Sequence, residues 1–185
     1  MDRKTAFDRA VRFVVERGAA APEHNSGVTL LEHVLGTYRV LERWNASPAL
    51  LAAGLLHSVY STEHFRIALA SYDEREAVRE IAGDEAERLA FLFCVKESTS
   101  LFDLAERASD GGALDLRDWR GTGSHPVTAM EIASLVNLVA ANALEQVPRN
   151  DATLRRDLPS IARATHLLLP LAAREPAFSV PAGAR

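Results

Sequence analysis

Two histidines stand on consecutive predicted helices, at positions where an imidazole could do chemistry. His33 lies within the stretch LLEHVLGTY, and His57 directly follows the apolar run ALLAAGLL. Imidazole acts as a general acid or base near neutral pH and is also a common metal ligand. Burying an imidazole without a partner costs a few kcal/mol, so each buried histidine must meet a polar side chain, a backbone carbonyl, water or a metal ion.

The local pattern of the second predicted helix turns His33 toward the interior. Thr29 and Glu32 have the spacing of a capping box, so this helix should begin at Thr29, and we expect it to run to Trp44. At about 100° per residue, His33 falls at the edge of the apolar stripe. That stripe consists of Leu30, Val34, Tyr38 and Leu41.

The third predicted helix should deliver His57 to a cavity. Ser47 supplies an N-cap and Pro48 suits the first helical position, so this helix should start at Pro48 and run to about Tyr60. Because it is apolar on every side, we expect it to be central and fully buried. Its polar end should then lie between helices, where helical folds build their sites.

The whole chain has the period of an all-α protein. Apolar residues recur at intervals of three and four, which predicts a single helical domain over residues 1–175 and a mobile tail over residues 176–185. Residues 113–127 contain glycines that suit a short β-hairpin, although an irregular excursion is the alternative. The other predicted helices are Asp2 to Arg17, Asp73 to Ala82, one after Gly83, one from Thr128 to Gln146, and Leu158 to Ala173.

Composition narrows the classes of function. The 185 residues carry a formal charge of −4 with both signs mixed along the chain, which argues against nucleic-acid or anionic-membrane partners. A single cysteine, Cys94, excludes an internal disulfide and a multi-cysteine zinc site. The N-terminal segment resembles neither a signal peptide nor a membrane span, so we expect a cytoplasmic protein. A homodimer is compatible with the sequence.

The segment LLEHVLGTYRVLERWNASPALLAAGLLHSVY resembles the HD superfamily of metal-dependent hydrolases. The motif of that superfamily is a histidine on one helix and a His-Asp pair at the end of the next. More distantly similar members are guanosine-polyphosphate hydrolase domains and oxygenases related to inositol oxygenase. SGVTLLEHVLGTY, AGLLHSVYSTEHF and ANALEQ look most like a family of small bacterial HD-like proteins without an assigned function. The resemblance is strongest from Glu23 to Phe65.

The resemblance implies a reduced metal site. His33 and His57 match the first two metal ligands, whereas Ser58 stands where the superfamily has its aspartate. A serine hydroxyl does not replace an anionic carboxylate, which argues against a two-metal site. The hydrolases also have a pair of acidic residues at the positions of Ser61 and Thr62. The nearest acidic residue here, Glu63, stands one residue after that pair, so a guanosine-polyphosphate hydrolase is not expected.

The final ligand of the superfamily should lie on the helix MEIASLVNLVAANALEQV. Projected around its buried face, Asn142 flanks the core, Glu145 lies further out, and Asn137 points nearly opposite. Asn142 is therefore the matching position that we choose. The alternative is that the Asn142 amide only packs between helices and is not a ligand.

Four further side chains are candidates around the pair. Tyr60 could donate its hydroxyl to substrate or simply pack in the core, and Glu63 could bind a metal or line the cavity mouth. His24 could fold over the pocket from its loop, and Arg66 could meet an anionic ligand. Both of these residues could equally be ordinary surface residues.

Three hypotheses follow. The first is a small-molecule enzyme of hydrolase, lyase or oxygenase type, with one divalent metal ion (zinc, iron or manganese) bound by His33, His57 and Glu63. The second is a metal-free enzyme in which His57 is the acid or base, oriented by Ser58, Tyr60 or Glu63. The third is a non-catalytic domain that binds a small molecule.

Ser58→Asp tests the interpretation that a ligand is missing. The substitution adds an anionic oxygen beside His57, so we expect it to raise the affinity for a divalent metal ion. Calorimetric titration of the wild type and the variant with the same metal measures the change. An affinity that does not rise would mean that the cavity has been remodelled beyond the loss of one carboxylate.

Overall fold

A computed structural model describes residues 3–21, 23–24, 27–108, 113–146, 160–161 and 163–164. Within these ranges the chain folds into seven α-helices with two short antiparallel hairpins, which confirms the predicted all-α class and the hairpin near residues 113–127. The helices are α1 (Arg3–Glu16), α2 (Leu30–Arg43), α3 (Pro48–Leu56), α4 (Arg75–Ala82), α5 (Asp84–Val95), α6 (Ser100–Ala108) and α7 (Ala129–Gln146). The strands are β1 (Glu23–His24), β2 (Val28–Thr29), β3 (Asp115–Arg117) and β4 (Ser124–Pro126).

Two capping boxes set the starts of α2 and α7, as predicted. Thr29 Oγ1 accepts from the Glu32 amide at 3.1 Å, and the Glu32 carboxylate accepts from the Thr29 amide at 2.8 Å. Thr128 and Glu131 make the same pair of bonds at 3.1 and 2.7 Å. These boxes fix the register of the two helices that carry most of the site.

The apolar helix α3 is the centre of the fold. Its residues 50–56 are all buried, and it packs against α1, α2, α5 and α7. Gly54 allows α2 to approach, because a Cβ at this position would lie 2.6 Å from Leu41 Cδ1. The helix ends at Leu56 with His57 as its C-cap, so the prediction that it continues to Tyr60 was wrong.

Other boundaries differ from the predictions for local reasons. The predicted helix from Asp73 begins as a 3-10 turn at Tyr72–Glu74 and becomes α4 only at Arg75. Helix α6 was not predicted, because its apolar pattern is short and stands next to glycine-rich sequence. Four residues of the predicted helix from Leu158 to Ala173 are described and are helical, whereas the predicted tail at 176–185 lies outside the described residues. No described helix combines the length and apolarity that crossing a membrane requires.

A buried carboxylate organises the hairpin between α6 and α7. The Asp118 side chain has no exposed surface and accepts hydrogen bonds from Arg120, Thr122 and His125. Burial alone raises the pKa of Asp118, but the bonds from Arg120, His125 and Thr122 outweigh burial and hold that pKa well below its ordinary value. The turn itself uses Gly121 and Gly123, whose φ angles are 76° and 120°.

Asp118→Asn should destabilise the protein in a pH-dependent way. Because the pKa is depressed in the folded state, the carboxylate stabilises the fold above its unfolded pKa of about 4, and this contribution is lost as the pH falls below that value. We expect a loss of about 1–3 kcal/mol in the free energy of unfolding at pH 7 and a smaller loss at pH 3. Urea unfolding at both pH values measures this loss. The exposed Asp115→Asn is the control, and an equal loss at both pH values would contradict the assignment.

Candidate functional site

The side chains of His33 and His57 meet in the core of the bundle. Both residues have 0% exposed surface. His33 lies in the first turn of α2 and His57 caps α3, and their Nε2 atoms are 2.9 Å apart. The rings approach edge to face, with an interplanar angle of 75°. Sequence analysis predicted that both histidines point into the space between helices, and this distance confirms that the two rings meet in the core.

The outer nitrogen of each ring has an acceptor. His57 Nδ1 lies 2.8 Å from the Gly54 carbonyl oxygen, and His33 Nδ1 lies 2.6 Å from Glu145 Oε2. A carbonyl only accepts, and so does Glu145 when it is ionised; in that state each Nδ1 carries a proton and donates it. When both rings are neutral, their Nε2 lone pairs face each other. Lone pairs at this distance repel, whereas a proton or a metal ion between them would remove the repulsion.

Apolar and uncharged groups surround His57. The Phe93 ring meets the imidazole edge to face at a centroid distance of 5.0 Å. The thiol of Cys94 donates to the His57 carbonyl at 3.2 Å, and burial raises the pKa of Cys94 to about 12, so it stays a neutral thiol. Electrostatic interactions at such a buried position are stronger than they would be in water.

The carboxylate that reaches the pair is Glu145 of α7, which the sequence projection placed too far out. Glu63, the predicted third ligand, instead accepts from the Ser98 amide at 2.9 Å and from its hydroxyl at 2.6 Å. Burial raises the pKa of Glu63, and the bonds from Ser98 outweigh burial and lower it. The structure therefore brings His33 and His57 together with Glu145 and places Glu63 at Ser98.

Tyr60 belongs to a second buried network. Its hydroxyl donates to Glu87 at 2.9 Å, and Glu87 has 0% exposed surface. Arg75 binds both oxygens of Glu87, at 2.6 and 2.8 Å. Burial, with the nearby Glu87 charge, raises the pKa of Tyr60 far above its ordinary value, so the phenol keeps its proton. Sequence analysis missed Glu87, because it stands among the other charged residues in the first turn of α5 and no local signal sets it apart.

The remaining candidates lie apart from this network. Ser58 is buried directly after His57. Arg66 is exposed, with its guanidinium carbon 3.9 Å above the Trp119 ring. His24 lies in β1 opposite Val28, and its side chain is outside the described part of the chain.

The projection of α7 was partly wrong. Asn142, chosen as the matching ligand, is half-buried, and its backbone carbonyl accepts from Gln146 at 3.1 Å. Asn137 was predicted to point away from the core, but it is buried, and its amide donates to the Ala133 carbonyl at 3.2 Å. The helix is buried around more of its circumference than one apolar stripe suggests, because α2, α3, α5 and α6 all pack against it.

No group of three His, Cys, Asp or Glu side chains suited to a metal ion occurs among the described residues. The described site is therefore a histidine pair with a carboxylate and a carbonyl on its outer nitrogens. Such an arrangement can bind a cation at the two Nε2 atoms or share a proton between them.

Residues 13–97 match the family model of a domain of unknown function (DUF6817). The matched segment contains both histidines and ends before α6, so Glu145 lies outside it. No curated protein and no solved structure matches the chain.

Glu87→Ala should destabilise the fold because it leaves the Arg75 guanidinium and the Tyr60 hydroxyl without their shared acceptor. We expect a loss of about 3–5 kcal/mol in the free energy of unfolding, measured by urea denaturation. Glu76→Ala, whose side chain is 71% exposed, is the matched control on α4 and should change stability by about 0.5 kcal/mol at most. Equal effects from both variants would contradict a structural role for the network.

Proposed function

We propose that the protein is a small-molecule enzyme with an HD-like site, in which His33 and His57 hold one divalent metal ion through their Nε2 atoms. The observation that carries this proposal is that both Nδ1 atoms lie against acceptors, while the two Nε2 atoms lie 2.9 Å apart, near enough to bind one ion. Metal-binding histidines usually donate the other ring N–H to a carboxylate or a backbone carbonyl, as both do here.

The donor atoms fit a metal ion in part. With metal–nitrogen bonds of about 2.0–2.1 Å, nitrogens 2.9 Å apart subtend about 90° at the metal, as neighbouring ligands of an octahedral ion do. Two imidazoles favour iron or zinc over manganese. Ser58 supplies no carboxylate beside His57, which favours one metal ion over two. The other ligands would be water and substrate.

The metal ion would supply Lewis-acid chemistry toward a substrate oxygen, as in hydrolases or oxygenase-like enzymes. The role of the chain is to hold that centre in place and keep it dry. His33 and His57 bind, Glu145 and the Gly54 carbonyl orient their rings, and the Phe93 ring excludes water from one side.

A metal-free acid–base enzyme is the second candidate. The 2.9 Å separation is also an ordinary N–H···N hydrogen-bond distance, and no third ligand gathers among the described residues. In this case His33 carries both protons beside the Glu145 carboxylate, and its Nε2–H donates to His57. Glu145, His33 and His57 would then form one chain along which a proton can move.

Metal analysis of His33→Gln and His57→Gln separates these candidates. We expect the wild type to bind one equivalent of iron or zinc, and each variant to lose it, because an amide lacks the basicity of imidazole. Each variant should keep its helical circular dichroism and lose about 1–3 kcal/mol of stability.

His64→Gln, at a histidine whose side chain is 67% exposed, is the matched control and should retain the metal. A wild type that binds no metal after reconstitution with zinc, iron and manganese would overturn the metal proposal. Turnover in a substrate screen with that protein would then favour the metal-free enzyme. A bound small molecule without turnover would favour the non-catalytic domain.

A further inference from the structure

We propose that Gly36 and Glu145 form a positioning unit for His33, in which the missing side chain of Gly36 admits the Glu145 carboxylate to His33 Nδ1. This inference rests on the proposed function, because it assigns what holds one of the two histidines in its working orientation. Glu145 is a positioning residue here, since it acts through His33.

The contact between Gly36 and Glu145 leaves no room for a side chain. Gly36 lies one turn after His33 on α2, so the two residues share a face of the helix. A Cβ at position 36 would lie 2.5 Å from Glu145 Cγ and 2.8 Å from its Oε1. Any larger residue at position 36 would therefore push the carboxylate from its place beside His33.

Both residues are unfavourable choices for the helices that carry them. Glycine is among the weakest helix formers, and Gly36 stands inside α2 with no positive φ angle that would require it. Glu145 is a nearly buried acid, with 7% of its side chain exposed, on a helix whose buried positions are mostly apolar. Two such choices at one contact indicate that the contact serves the site.

The carboxylate has a definite effect on the imidazole. By accepting the Nδ1–H of His33 at 2.6 Å, it fixes the ring orientation and keeps the Nε2 lone pair directed at His57. A carboxylate in this position also raises the basicity of the ligating nitrogen. Removing such an outer partner typically lowers metal affinity by about 10–100-fold.

A double-mutant cycle with zinc tests the unit. Gly36→Ala, Glu145→Ala and the double variant are titrated with zinc beside the wild type. We expect each single variant to lose roughly 10–100-fold in zinc affinity. The double variant should lose no more than Glu145→Ala alone, because the three atoms nearest to a Cβ at position 36 all belong to the part of the Glu145 side chain that this variant removes. Arg39→Ala, an exposed position on α2, is the control and should keep wild-type affinity.

Gly36→Ala should not unfold the protein, since the atoms that must move belong to the flexible Glu145 side chain and alanine is the better helix former. Losses that add in the double variant, or wild-type affinity in Gly36→Ala, would overturn the proposal.

Nitrogen-15 NMR of the histidine rings in the metal-free protein at pH 7 is a readout that does not depend on metal binding. We expect the Nδ1 proton of His33 to be retained in the wild type and to be lost or shared between tautomers in both single variants. A wild type that binds no zinc but shows this change would remove the metal proposal and leave the positioning unit supported. An unchanged His33 spectrum in Gly36→Ala would overturn the positioning unit itself.

Discussion

The contact between two fully buried imidazoles is the constraint on which the rest of the structure depends. Polar rings inside an apolar core are unfavourable unless every nitrogen has a partner. Here the outer nitrogens are satisfied by Glu145 and the Gly54 carbonyl, and the inner nitrogens face each other at 2.9 Å. Three helices must therefore be held in fixed relation, because α2, α3 and α7 each supply one part of this arrangement.

The close packing of the helices meets that requirement. Gly54 lets α2 approach α3 near Leu41, and Gly36 lets the Glu145 side chain of α7 lie against α2. Each glycine removes a side chain where another residue must pass. The buried Glu87 joins the turn after α3 to α4 and α5 through Tyr60 and Arg75, which fixes the chain directly after His57.

Local sequence patterns predicted the helices better than the contacts between their side chains. The capping boxes at Thr29 and Thr128 are complete within four residues, so the starts of α2 and α7 were predictable. The inward direction of His33 followed from helical periodicity. Glu145 was not predictable in the same way, because its contact with His33 spans 112 residues and depends on how α7 rotates against four other helices. The prediction for Glu63 was wrong for the converse reason. Glu63 is close to His57 in sequence, but its carboxylate binds Ser98 instead.

Departures from local rules cluster around the histidine pair, which supports a functional origin for the arrangement. Most of the described chain follows helix propensity and capping, yet Gly36 sits inside a helix, Glu145 is a nearly buried acid, and Ser61 has a φ angle of 71° shortly after His57. A structural core could satisfy the same space with apolar side chains at no such cost. Two imidazoles whose Nε2 atoms meet at 2.9 Å add nothing to packing that leucine would not supply. A cation between these two nitrogens, whether a metal ion or a proton, is the explanation that we propose for their place in the core.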